Sequence, residues 1–163
     1  MDESALAKYE NLFRRMNRAV VKGYKAPHKP VLLIAICELV ANGQVADNRI
    51  YLTKSLEDKY KEIWKEFIDS NESVCYDCVA EELFGGEKKT YPFKCNIANP
   101  FYHLSGEPFW TLKKSPQWRQ RSSWSVSALK SDYEYAIMEA DLFDLMADTN
   151  SHKQILSILQ TLI

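Results

Sequence analysis

The sequence predicts an α+β fold, a mainly α-helical single domain with a small antiparallel β-sheet. Three observations lead there. Apolar residues recur at three- and four-residue steps near both ends of the chain, the pattern of amphipathic helices. Short aromatic and β-branched runs separated by Ser-Gly or Pro turns fill much of the stretch between Phe101 and Met138. A length of 163 residues with 46% hydrophobic content suits one core.

Leu6, Tyr9, Phe13, Met16 and Val20 lay an apolar stripe along a helix over Ser4 to Val21, with Arg14, Arg18 and Lys22 on its opposite face. Gly23 breaks that pattern, and Tyr24 to Lys29 reads as a loop closed by Pro30. Pro30 fits the first turn of a helix, where its missing N–H would have no partner. Val31 to Ala41 then follows as a segment apolar nearly all round, the expected buried centre. Asn42-Gly43 ends it. A short strand at Arg49 to Leu52 leads to Thr53, which caps a third helix with the core face Leu56, Tyr60, Ile63, Trp64 and Phe67.

Ser70 to Thr90 has little periodicity, and an irregular excursion is expected over about residues 70–98, with one short helix near Val79 to Phe84. Strands are expected at Phe101 to Leu104, Phe109 to Leu112, Trp124 to Val126 and Tyr133 to Met138. Asp141 to Ala147 and Ser151 to Leu162 close the chain as helices, the second opened by the capping box Ser151-x-x-Gln154.

With 21 basic and 22 acidic residues the net charge is −1, which excludes a histone-like character and makes charge placement decisive. Arg14 to Lys29 holds six cations (Arg14, Arg15, Arg18, Lys22, Lys25, Lys29) and no acid. Lys88 to Lys130 holds eight (Lys88, Lys89, Lys94, Lys113, Lys114, Arg119, Arg121, Lys130) against the lone Glu107, while Ser131 to Ile163 has six acids and only Lys153. The first basic stretch runs into a helix N-terminus, which itself favours anions; the second interleaves its charges with Trp110, Trp118 and Trp124. Double-stranded DNA is the natural partner, with Arg14, Arg18, Lys22, Lys25, Lys113, Lys114, Arg119 and Arg121 as backbone contacts. Arg119 to Arg121 and the Asn99 to His103 region are also the expected readers of base edges. Trp118 and Trp124 are candidates for contact, whereas Trp64, Phe67, Trp110 and Tyr135 read as packing.

The longest unbroken apolar run, Val31 to Cys37, is too short to span a bilayer, and Met1 to Tyr9 lacks an export signal. A soluble, cytoplasmic protein without a membrane partner is expected, its four cysteines remaining thiols. Cys75-x-x-Cys78 is half of a zinc spacing that Cys95 and His103 could complete; with no second close pair, neither metal nor cofactor is expected. Asp47 with Glu57-x-Lys59 imitates a metal-nuclease set, yet Glu57 and Lys59 fall on the charged face of a helix and read as surface salt-bridge residues. His152, near the start of the final helix, is expected to face solvent.

Ala26-Pro27-His28-Lys29-Pro30 stiffens the backbone around an imidazole and an ammonium at the mouth of the buried helix, a preorganised seat for an oxyanion. Four further segments join it: Tyr24 to Leu33 as a whole, Ile50-Tyr51-Leu52-Thr53, the Asn99-Pro100-Phe101-Tyr102-His103-Leu104 run leading to Phe109-Trp110, and Ala136 with Asp141-Leu142-Phe143. Together, in order through nearly the whole chain, they resemble the sulfur-binding domain of phosphorothioate-dependent, McrA-like type IV restriction endonucleases.

The resemblance implies a reader of DNA in which sulfur replaces one non-bridging phosphate oxygen. In that family a histidine and an arginine at the helix start hold the linkage, and a shallow apolar pocket around a Tyr-Pro dipeptide and a small residue receives the sulfur. His28 and Pro100 match. Lys29 stands where the arginine would be, keeping the charge without the two-pronged fork; Asn99 replaces the tyrosine, and His103 the small residue. The phosphate or phosphorothioate site so implied is His28, Lys29, Asn99, Pro100 and His103, with sulfur favoured by about 1–2 kcal/mol through apolar contact with Pro100 and disfavoured by the polar walls. The family usually joins this domain to an HNH nuclease. None is recognisable in these residues, so a non-catalytic module is expected, its nuclease a possible partner protein. The alternative is an interaction module of a defence operon, with the acidic stretch Asp132 to Asp148 docking the nuclease and nucleic acid bound weakly or not at all.

Overall fold

The computed structural model describes residues 3–69 and 92–163. Expectations for Cys75, Cys78, Lys88, Lys89 and the short helix at Val79 to Phe84 lie outside the described residues. Within them the fold is α+β, mainly helical, with two small antiparallel sheets.

The first helix, α1, spans Glu3–Arg14 rather than Ser4 to Val21. Val20–Val21 instead forms β1, which pairs antiparallel with β2, Tyr24–Lys25. The connecting pair Lys22-Gly23 has positive φ at both positions, 53° and 84°, the backbone that a two-residue hairpin turn requires. Val20 continued the apolar spacing of α1, but in the hairpin it is 61% exposed.

The central helix α2, His28–Ala41, is buried on every side, as its unbroken apolar run predicts: Val31 to Cys37 are fully inaccessible to solvent. Each of its buried valine, leucine and isoleucine side chains contributes about 1.5–3 kcal/mol, which makes α2 the post around which the domain condenses. Strand β3, Arg49–Ile50, precedes α3, Lys54–Trp64, whose first turn is capped by Thr53: the Leu56 N–H donates to Oγ1 at 3.1 Å. A π-helical turn over Lys65–Asp69 extends α3, and Ile68 is buried while Phe67 is only half-buried.

Two expected strands are absent: Phe101 to Leu104 is helical, and Trp124 to Val126 leads into a helix that starts at its last residue. Residues Ala98–His103 form α4, followed by a 3-10 turn over Leu104–Gly106, and Val126–Asp132 form α5. A side-chain hydrogen bond marks the start of each, an Asx-type turn in the first and an N-cap in the second. Asn96 Oδ1 accepts the Ala98 N–H at 3.1 Å, and Ser125 Oγ accepts the Ala128 N–H at 3.1 Å. The remaining strands are β4, Trp110–Lys114, and β5, Tyr133–Met138; with β3 they form a sheet of order β3-β5-β4, pairing Trp110 with Met138 and Ile50 with Ala136. Trp110 Nε1 donates to the Phe101 carbonyl at 3.0 Å, tying that sheet to α4.

Helices α6, Ala140–Ala147, and α7, Thr149–Gln160, close the chain and pack against α2 and α1. The predicted capping box is displaced. Asp148 caps α7 by accepting the Ser151 N–H at 3.0 Å, and Ser151 itself is buried. His152 is half-buried rather than solvent-facing, its Nδ1 3.1 Å from Cys37 Sγ, and burial pushes that thiol up to about 12. No helix among the described residues is long and apolar enough to cross a membrane.

Candidate functional site

A cavity of about 540 Å³ opens where the root of the hairpin, the first turn of α2, the exposed face of α4 and the 3-10 turn meet. His28, Lys29, Asn99 and His103, predicted from two distant segments, all line it. Pro100 does not: it is buried. The cause is the helical form of α4, since residues four apart share a helix face. Asn99 and His103 therefore look outward together, and the residue between them that should have floored the pocket turns inward with Phe101 and Leu104.

Lys29, only 8% exposed, does not await a ligand. Its Nζ donates to Glu107 Oε2 at 2.7 Å and to the Asn17 carbonyl at 2.7 Å. The Asn17 N–H donates to the same carboxylate oxygen at 3.0 Å. Glu107, on the cavity wall, thus neutralises the cation that the sequence offered to a phosphate.

His28 lies between Trp64 and Phe93, ring centroids 5.0 and 5.6 Å away. Its Nε2 donates to the Lys94 carbonyl at 2.8 Å, and Nδ1 is buried with no hydrogen-bond partner. Burial lowers its pKa; the Lys94 carbonyl opposes this, and nearby Arg18 adds to it. Burial and the Lys29 charge lower that of His103 as well. Both imidazoles are therefore neutral at pH 7.

The other predicted cations divide by use. Arg14 pairs with Glu10 at 3.0 Å on α1, and Arg18 bonds the carbonyls of Ala26 and Leu162, each at 2.7 Å, clamping the hairpin root to the chain end. Arg15, just after α1, and Lys22 and Lys25, on the hairpin whose root borders the cavity, remain exposed and outside any ion pair among the described residues. Lys113 is exposed on β4, Lys114 lies 3.9 Å from the Trp118 ring centroid, and Arg119 is exposed. Arg121 is held at 2.9 Å by the fully buried Asp132, whose carboxyl the Arg121 hydrogen bond lowers to about 2. Trp118 and Trp124 are half-buried: Trp118 Nε1 donates to Tyr133 Oη at 3.0 Å, and Trp124 stacks on Tyr102 at 4.9 Å.

No model of a known protein family matches this chain, and no curated protein matches it.

Of the remaining candidates, Cys95 is exposed, and no three His, Cys, Asp or Glu among the described residues gather as metal ligands. Asp47 pairs with Arg49, Glu57 with Lys130, and Lys59 with Glu38 and Glu62. Three of the six acids proposed to dock a partner are engaged within the chain, Asp132 by Arg121, Asp141 by Tyr9 and Lys8, and Asp148 as a cap. Sequence reasoning passed over Asn17, Phe93 and Glu107. Only Glu107 carried a signal, as the single acid in a stretch of eight cations.

Proposed function

We propose that this chain is a non-catalytic DNA-binding module resembling the phosphorothioate-reading domains of restriction systems. One observation carries the reading: His28, Lys29, Asn99 and His103 converge on a single open cavity, beside a hairpin whose Lys22 and Lys25 form no ion pair among the described residues. The division of labour differs from the sequence expectation. Lys29 is spent on Glu107, so phosphates fall to Arg15, Lys22 and Lys25, which neutralise the backbone without reading sequence.

Sulfur selection is the weaker half of the resemblance. The Pro100 ring, its expected apolar contact, is packed away from the cavity, so one phosphorothioate should alter affinity by about twofold or less.

Anisotropy of labelled duplexes at increasing salt tests the reading. Three phosphate contacts predict a slope of log K on log salt of about −2.7, and Lys22→Ala should make it shallower by about 0.9. Absence of binding at low salt, or a flat salt response, would refute DNA binding. Duplexes carrying a single phosphorothioate of either stereochemistry, run alongside, measure sulfur preference directly.

A further inference from the structure

The cavity is larger than a phosphate seat needs to be, and one of its walls is anionic. At about 540 Å³ it falls within the range of roughly 300–1,000 Å³ that whole small molecules occupy. Its wall carries a carboxylate, Glu107, whose Oε2 already accepts two hydrogen bonds. A phosphate placed there would meet like charge, whereas an N–H donor would meet an acceptor. Lys29 is paired with Glu107, and Arg18, which keeps its charge, has its guanidinium directed to the carbonyls of Ala26 and Leu162.

The remaining lining is flat or two-pronged. Phe93 stands edge-on to His28, His103 adds a second imidazole, and Asn99 presents an exposed amide one turn from His103. An amide offers a donor and an acceptor side by side, the pair that matches the amino and ring-nitrogen edge of adenine. A carboxylate suits an exocyclic amine. Rings beside them supply stacking surface.

Resting on the DNA-binding reading above, we propose that this cavity receives one unstacked, amino-bearing nucleobase of the bound DNA, with Asn99 and Glu107 reading its polar edge and Phe93 and His103 flanking its faces. Phosphates stay outside, on the hairpin cations. Discrimination would then come from the base, not from the linkage, and would be greatest where extrusion is cheapest, at an unpaired or mismatched nucleotide.

Three duplexes of one sequence decide the matter, differing only in a single bulged position: adenine, thymine or an abasic sugar. The phosphate count is the same in all three, so the cationic term cancels. Adenine is expected to bind about tenfold tighter than the abasic bulge and severalfold tighter than thymine. Asn99→Ala, at an exposed position that should leave the fold intact, should collapse that ratio toward one; Glu107→Gln supplies a second reading, with its circular dichroism checked against the parent protein. Equal affinity for all three bulges, alongside salt-dependent binding of the perfect duplex, would overturn base capture and leave DNA binding standing. Failure to bind any duplex at low salt would remove both.

Discussion

Helices α2 and α4 open in the same way and end up doing different work. Each has proline as its third helical residue, and each places the residue before that proline on the cavity, Lys29 in one and Asn99 in the other. There the likeness stops. Neither has a side-chain N-cap, but α2 runs for 14 residues and buries both His28 and Lys29, whereas α4 runs for 6, follows the turn made by Asn96, and leaves Asn99 and His103 exposed. One helix supplies the cavity with a lysine already paired by the protein and a histidine whose Nε2 is already bonded. The other supplies groups still open to a ligand. The same punctuation in sequence therefore marks a structural wall on one side and a reading surface on the other.

The largest test of that contrast exchanges the two lysine-and-asparagine positions for apolar residues. Lys29→Met leaves the Glu107 carboxylate buried without its cation, and the chain should lose about 3–5 kcal/mol of stability in urea unfolding. Asn99→Ala, on an exposed face, should stay within about 0.5 kcal/mol of the parent. Replacing both partners, Lys29→Met with Glu107→Leu, should recover most of the loss, because a buried ion pair and a well-packed apolar pair are often close in net worth. A small cost for Lys29→Met alone would mean that the ammonium is free, and would return it to the phosphate role its sequence position suggested.

A smaller effect separates how the two helices begin. Asn96→Ala removes the side-chain oxygen that accepts the Ala98 N–H and should destabilise the fold by about 1 kcal/mol. Because α4 carries Asn99 and His103, fraying of its first turn should also raise hydrogen exchange at the Ala98 and Phe101 amides before it does so anywhere in α2. Uniform exchange in both helices would show that α4 is held by packing of Phe101 and Leu104 alone.

The contrast also explains what could be read in advance. A helix apolar all round, such as α2, announces itself through its long apolar segment and the proline that opens its first turn. A helix of 6 residues shows less than two turns of period, so Phe101 and Leu104 passed for strand residues. The error mattered for the site: as a strand the segment could leave Pro100 beside His28, whereas as a helix it aligns Asn99 with His103 and hides the proline. The hairpin escaped notice because Val20 prolonged a helical stripe, and the two-residue turn that overruled it includes Lys22, which side-chain sterics disfavour there. His28, Lys29, Asn99 and His103 were legible as candidates. Their partners were not, since pairing Lys29 with Glu107 joins residues 78 apart in the chain.

The finest test concerns His28, the first residue of α2. Its folded-state pKa lies below the ordinary value near 6.5 because burial between Trp64 and Phe93 penalises the charged ring, partly offset by the hydrogen bond to the Lys94 carbonyl. Below about pH 6.5 the unfolded chain takes up a proton that the folded chain refuses, so stability must fall as pH drops from there and level off once His28 itself protonates. His28→Phe keeps a ring in the same place and cannot titrate. Across pH 5 to 7.5 the parent protein should therefore show a steeper rise in unfolding free energy than His28→Phe, and the difference between the two curves isolates this one group from every carboxylate they share. Parallel curves would mean that the ring protonates as easily inside the fold as outside it, and α2 would then present its first residue to the cavity as openly as α4 does.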